Sequence, residues 1–232
     1  LDCEECEGRC PDLMPENAAA WELLQAGATQ LRMSGMGGPV GFDYNALALV
    51  AEAFGIDLTP GMWRKVQAVE TVIRRNAAQW NIDPRSVGII GFSAGGHFAS
   101  TLITEYTSGE TRPDFAVLVY PVVSMKYSSV RTRENLLGDR SEEEALRKRH
   151  STSGQVHEGV PETMLLLCSD DKAVVPDNSI AFYRALIRRG VKAEMHIYPE
   201  GGHGFWMRER YKYGDETYPA VIRWIEQHKT TN

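Results

Sequence analysis

From residue 86 onwards, short apolar runs alternate with longer stretches in which apolar residues recur every three or four positions. Ser86 to Phe92, Phe115 to Tyr120, Thr163 to Cys168 and Lys192 to Tyr198 are aliphatic or β-branched runs of strand length. Between them, Gly95 to Tyr106 and Asn178 to Arg189 carry helical spacing. This alternation predicts a parallel sheet with helices on its faces, because parallel neighbours need a crossover and the crossover helix packs back on the sheet. The chain before residue 86 reads differently. Asn17 is a candidate cap for a helix through Gly27 with Trp21, Leu24 and Ala28 on one face, and Tyr44 to Phe54 repeats Leu47, Val50, Ala51 and Phe54. Pro60 sits where a third helix can start, running from Met62 towards Trp80. Ser34 to Gly41 reads as a loop, and no buried strand is predicted before residue 86.

Composition narrows the function classes. A 232-residue chain that is 43% hydrophobic can bury a sizeable core, which excludes disorder and collagen-like repetition. The net charge is −6, so there is no basic excess to neutralise phosphates, and nucleic acid is dropped as a partner. No apolar run approaches the roughly 20 residues of a membrane helix, and Leu1 to Cys10 is acidic rather than leader-like. The expectation is a cytoplasmic chain with no membrane partner, secreted or periplasmic only if its true N-terminus lies upstream. The charge is uneven: Leu1 to Glu70 holds 11 acidic and 4 basic residues, and the other 162 residues hold 20 and 21. Two compositions suggest two origins.

Three of the four cysteines, Cys3, Cys6 and Cys10, lie in the first ten residues. Structural zinc takes four ligands, and only three are evident, so the reading is a thiol cluster with no metal and no cofactor. Cys168 ends an apolar run and reads as core.

The candidate chemistry lies at the ends of the predicted strands. Gly91-Phe-Ser93-Ala-Gly95 has a strand before it and a helix after it, the context in which a sharp turn lifts a serine hydroxyl above a sheet at a helix N-terminus. The plain alternative is an ordinary glycine-rich turn. Downstream, Asp170-Asp171 follows one strand and Gly201-Gly-His203-Gly follows the next, so an acid and a histidine come in the order Ser, Asp, His at the carboxyl ends where parallel sheets collect their sites. A turn carboxylate and a loop histidine are the bland readings of these two. His97 reads as packed structure, and His150 and His157 fall in a charged excursion, Arg131 to Glu158, that reads as a solvated helix or cap. Trp206 and Tyr211 divide evenly between lining a site and filling a core.

Residues from about 68 to 228 resemble the acetylxylan-esterase-like branch of the α/β-hydrolases, close also to the dienelactone-hydrolase and prolyl-oligopeptidase relatives. The resemblance is carried by Asn81-Ile-Asp-Pro-Arg-Ser-Val-Gly-Ile-Ile-Gly-Phe-Ser-Ala-Gly-Gly-His97, Arg112-Pro-Asp-Phe-Ala-Val-Leu-Val-Tyr-Pro121, Glu134-Asn-Leu-Leu-Gly138, Asp170-Asp-Lys, Asn178-Ser179 and Gly201-Gly-His-Gly-Phe205. It implies Ser93 as nucleophile, His203 as general base and later acid, Asp171 as the residue orienting it, and the Ala94 N–H as one oxyanion donor; Trp206, just past His203, is the residue expected beside the substrate from its position alone. Asp171 is preferred to Asp170 because it lies three residues before Val174, as in the relatives.

Residues 1 to about 70 instead resemble a phage-encoded family of small tail-region proteins, through Cys3-x-x-Cys6-x-Gly-Arg, Pro15-Glu-Asn17, Ala20-Trp-Glu-Leu23, Thr29-Gln30, Gly35-Met-Gly-Gly-Pro-Val-Gly41 and Asp43-Tyr44. A junction is expected near residues 66 to 72, from a gene fusion or an assembly artefact. The resulting expectation is an α/β fold: an incomplete α/β-hydrolase of about four parallel strands in residues 67–232, preceded by a small, mostly helical segment in residues 1–66. The family's upstream strands, and the glycine loop that supplies a second oxyanion donor, are missing from the pattern. Gly35-Met-Gly-Gly38 lacks a preceding strand to aim it as a substitute. Val87 to Gly91 then becomes a sheet edge, to be covered by the N-terminal helices or used for self-association. The implied activity is hydrolysis of a small ester or acetylated carbohydrate. The contrasting reading is a non-catalytic phage-type structural protein carrying a hydrolase remnant, and a peptidase role is weaker still because the chain carries no propeller.

Overall fold

The computed structural model describes residues 31–33, 39–42, 70–208 and 210–228. Its centre is a four-stranded, all-parallel sheet in the order β3-β4-β5-β6, formed by β3 (Gly88–Phe92), β4 (Phe115–Val119), β5 (Glu162–Cys168) and β6 (Ala193–Tyr198). The register pairs Gly88 with Phe115, Phe115 with Glu162 and Thr163 with Ala193, so the carboxyl ends of the strands finish together. These are the four predicted strands to within one or two residues.

Each crossover is helical. After α1 (Ala77–Trp80), α2 (Ser93–Thr104) links β3 to β4, α3 (Val130–Leu137) and α4 (Glu144–Arg149) lie in the long excursion before β5, α5 (Asp177–Arg188) links β5 to β6, and α6 (Gly214–Gln227) follows β6. Alternate strand residues face opposite layers, as the pleat requires. Ile89, Leu118 and Leu165 pack with Leu102 and Ile103 of α2 and with Phe182 and Leu186 of α5. Val117, Val119, Met164 and Leu166 pack on the other face with Val221 and Trp224 of α6. Both faces being covered explains why β4 is apolar throughout, and β5 from Met164 onwards, instead of alternating.

The helical stretch at 70–75 stops at Asn76, and α1 ends on Asn81 in the left-handed conformation, φ 53°. Arg74 ties this stretch to the amino end of β4: its guanidinium lies 2.8 Å from the Asp114 carboxylate and donates to Arg112 O. The same Asp114 oxygen, Oδ2, also accepts from the Val87 N–H, 2.8 Å away.

One expectation is overturned. Leu31–Met33 (β1) and Pro39–Phe42 (β2) form an antiparallel pair, with Leu31 opposite Phe42, in a region where the sequence pattern predicts no strand and a loop over Ser34 to Gly41. Strands of three and four residues are too short to leave a readable period of two, and Pro39 is tolerated because it opens its strand. A strand therefore does precede Gly35 to Gly38, contrary to the reading that none does; those glycines themselves lie outside the described residues. So do the predicted helices at Asn17 to Gly27 and Tyr44 to Phe54, and Cys3, Cys6 and Cys10. β2 comes close beside β3 but belongs to a separate sheet, and among the described residues no strand hydrogen-bonds to the outer edge of β3. No helix among the described residues is long and apolar enough to cross a membrane.

Candidate active site

The serine stands on a strained turn. Phe92 is still extended, at φ −122°, and the next residue, Ser93, has φ 50° and opens α2. A non-glycine residue in this region costs about 1–3 kcal/mol and persists only where its surroundings over-determine it. The surroundings here are tight. A Cβ on Gly91 would lie 2.4 Å from Gly95 O and 2.6 Å from Ala99 Cβ, and one on Gly96 would lie 2.6 Å from Pro121 Cβ. Close packing thus demands glycine at positions 91 and 96, and the turn between them is tight.

Two further loops bring their side chains to the same end of the sheet. Ser93 Oγ is 2.8 Å from His203 Nε2, and His203 Nδ1 is 2.8 Å from Asp171 Oδ2. A carboxylate only accepts, so the imidazole proton sits on Nδ1 and Nε2 is left to accept from the serine hydroxyl. Asp171 is only 3% exposed. Its other oxygen accepts from the backbone N–H groups of Ala173 (2.9 Å) and Val174 (3.0 Å), which fixes the carboxylate plane.

The histidine loop is shaped by glycine. Gly201, Gly202 and Gly204 have φ of 145°, 61° and 76°, and a Cβ on Gly201 would lie 2.7 Å from both Cys168 Sγ and the Tyr211 ring. Asp170, the neighbour passed over in the sequence, accepts from the Gly202 N–H (2.7 Å) and the Gly201 N–H (3.2 Å). These bonds, the one from Gly202 foremost, hold its carboxyl below the usual range. The adjacent aspartates therefore divide the work: one meets the imidazole, the other anchors the loop that carries it.

Tyr120 was missed except as part of a longer matching stretch. It follows β4 with φ 39°, is 3% exposed, and its ring lies 4.8 Å from the His203 ring and 5.1 Å from Phe205. A tyrosine before a proline gives no signal that its ring will wall a histidine from another loop. Ala94 is exposed in the first turn of α2, where backbone N–H groups have no intrahelical carbonyl. Trp206 is partly buried and packs on Phe92 (5.7 Å) and Tyr218 (4.8 Å). Tyr211 is core, with its hydroxyl 3.4 Å from the fully buried Cys168 Sγ. His97 is packed structure as read: its Nδ1–H donates to Val122 O, and burial pushes its pKa down to about 4. His157 accepts from Gly159 N–H, and its ring lies 5.7 Å from that of Tyr106 at a tilt of 51°. Among the described residues no group of three His, Cys, Asp or Glu side chains could hold a metal.

Residues 64–231 match the family model of the prolyl oligopeptidase family. The chain belongs to that family. The prolyl oligopeptidase match meets a second one over residues 64–77, since residues 4–77 match a phage related hypothetical protein family. Within the larger family, the chain is 34% identical over 164 residues to an acetylxylan esterase of Xylanibacter ruminicola, covering 67% of this chain and 33% of that protein. It is 32% identical to endo-1,4-beta-xylanase B of Butyrivibrio fibrisolvens, over 57% of this chain and 22% of that protein. The chain thus spans a third or less of the curated relatives it matches. Among solved structures, the acetyl ester-xyloside bifunctional hydrolase of Caldicellulosiruptor lactoaceticus aligns with a TM-score of 0.64 and 32% identity, over 72% of this chain and 66% of that one. The four parallel strands and flanking helices are therefore those of an α/β-hydrolase.

Proposed function

We propose that this chain is a serine carboxylic-ester hydrolase that removes acetyl groups from an acetylated carbohydrate of the xylan type. The observation that carries the reading is the unbroken hydrogen-bonded chain from Ser93 Oγ through the His203 ring to Asp171, 2.8 Å at each step. Its relatives named for acetyl ester and acetylxylan hydrolysis supply the substrate class.

In this reading Ser93 Oγ attacks the ester carbonyl while His203 Nε2 takes the hydroxyl proton, and Asp171 stabilises the imidazolium that forms. Collapse of the tetrahedral intermediate expels the sugar hydroxyl, which leaves with the proton returned by Nε2. Water then attacks the acetyl-serine, passing its proton to Nε2, and acetate departs as Ser93 recovers its hydrogen. The Ala94 N–H faces the developing oxyanion and Trp206 flanks the acyl group. We place the catalytic unit in residues 67–232 and the phage-like unit in residues 1–66, and we expect copies to associate through the outer edge of β3. Light scattering that finds only monomer across a wide concentration range refutes that association.

The match at residues 4–77 favours one rival: a non-catalytic phage tail or assembly protein bearing a hydrolase remnant. A fluorophosphonate probe followed by peptide mass spectrometry separates the two. The hydrolase forms an adduct on Ser93, and the remnant forms none.

A further inference from the structure

Asn178 was noted in the sequence only as part of a matching stretch, and the proposed chemistry makes no use of it. It is fully buried, at 0% exposure. Its Oδ1 accepts two consecutive backbone N–H groups, from Val123 (3.2 Å) and Ser124 (3.0 Å), in the loop that follows β4. That same loop touches the nucleophile directly. The Val122 N–H donates to the carbonyl of Ser93 itself (3.1 Å), and the Val122 carbonyl accepts from His97 of α2 (2.9 Å).

The other end of the connection is the acid. Asn178 is the second residue of α5, and the loop leading into that helix carries Asp171 and Val174. Asp171 accepts the Val174 N–H, and Val174 packs against Val122 and Met125 of the β4 loop. The nucleophile's peptide, the β4 loop and the acid loop are therefore joined by one amide oxygen and one apolar contact. Ser93 is held at a positive φ that only surrounding constraints maintain.

We propose that Asn178 is a positioning residue for the Ser93, His203 and Asp171 array, acting through the β4 loop that it holds against the peptide of Ser93. The inference rests on the hydrolase reading for its catalytic consequence and on geometry for its mechanism. Its active feature is the acceptor. The amide nitrogen reaches Val175 O at only 3.5 Å, a long contact that adds little. Without the acceptor, two buried N–H groups lose their partner and the loop is free to shift away from Ser93. A misplacement of about 1 Å at the reacting groups can cost about 10²-fold in rate.

The test compares the full-length chain with Asn178→Ala, Asn178→Asp and Leu186→Ala. Leu186 is fully buried in the same helix but takes no part in the bridge, so its loss destabilises without touching the loop. Two quantities are read per folded molecule: the rate of fluorophosphonate labelling of Ser93, and the downfield proton resonance of the hydrogen bond between His203 Nδ1 and Asp171. Asn178→Ala is expected to slow labelling by about 10-fold or more and to broaden or shift the resonance. Asn178→Asp keeps the acceptor and is expected to keep both signals, and Leu186→Ala is expected to leave both unchanged once unfolded protein is discounted.

The inference is overturned if Asn178→Ala behaves like Leu186→Ala, if Asn178→Asp loses the signals, or if the wild-type chain lacks the resonance. Should Asn178→Ala fail to fold, the Asn178→Asp result alone decides. A wild-type chain that does not label but whose resonance responds to Asn178→Ala refutes the hydrolase reading and upholds the positioning.

Discussion

The interior strand β5 and the edge strand β3 bring their carboxyl ends to one site under different conditions. β5 is paired on both sides and six of its seven residues are buried. The loops that leave β5 and β6 are then locked to each other: Asp170 holds Gly201 and Gly202, and Asp171 holds His203. β3 is paired on one side only among the described residues, and its burial is interrupted at Gly88 and Ile90. In the proposed triad the acid thus follows a strand paired on both sides, and the base and the nucleophile follow the strands at the two margins of the sheet, β6 and β3. A hydrogen-bonded triad requires only that the three loops converge. In the proposed mechanism, stabilising the oxyanion calls for a second donor beyond the edge of β3, and there the two regions part.

The comparison breaks most visibly at the triad. Ser93→Ala, Asp171→Ala and His203→Ala are each expected to remove nearly all hydrolysis of p-nitrophenyl acetate, by about 10⁴-fold or more, with combined variants little worse than single ones because the three act as a unit. Cys168→Ser, in the same interior but off the reaction path, is expected to leave turnover largely intact. Full activity in Ser93→Ala sinks the assignment.

The next effect belongs to the margin. In the proposed mechanism Ala94 supplies one oxyanion donor, and removal of one donor from such a site costs roughly 10²–10³ in kcat, or about 2.7–4 kcal/mol. Against a typical kcat of about 10 s⁻¹, turnover on an acetylated xylo-oligosaccharide is expected near 0.01–0.1 s⁻¹. Steady-state kinetics on purified chain measure this. A rate near the typical value sharpens the comparison in the opposite sense, because a second donor must then come from the segment around β1 and β2.

The two regions also differ in how legible they were. β3, β4 and β5 could be read because each holds a short apolar run bounded by breakers, β6 because Ala193, Met195 and Ile197 alternate with polar residues, and Ser93, Asp171 and His203 because each sits one to five residues beyond such a strand. β1 and β2 could not, since three or four residues carry no period. The roles of Tyr120, Asp170 and Asn178 were hidden for another reason. A ring that walls a histidine, a carboxylate that anchors glycine N–H groups and an amide that bridges two loops are all partnerships across 30 to 80 positions of sequence, and a single chain records no trace of who meets whom.

The smallest expected effect concerns stability at the margin. Glu70, in the helical stretch that Arg74 ties to β4, is 5% exposed, and among the described residues its Oε2 has no hydrogen-bond partner. Burial raises its pKa from 4.5 to about 8, with the Asp114 charge adding to the rise and Arg74 opposing it. The folded chain therefore keeps a proton on Glu70 that the unfolded chain releases above about pH 4.5. Stability from this group is fully present below that pH and is lost as pH rises towards 8, because the unfolded state binds fewer protons across the window. Glu70→Gln removes the titration. It is expected to change stability little at pH 4 and to raise it by about 1–3 kcal/mol at pH 8.5 relative to wild type, as read from denaturant midpoints at the two pH values. A gain of the same size at both pH values refutes the buried, proton-holding carboxyl and leaves the margin no less settled than the interior.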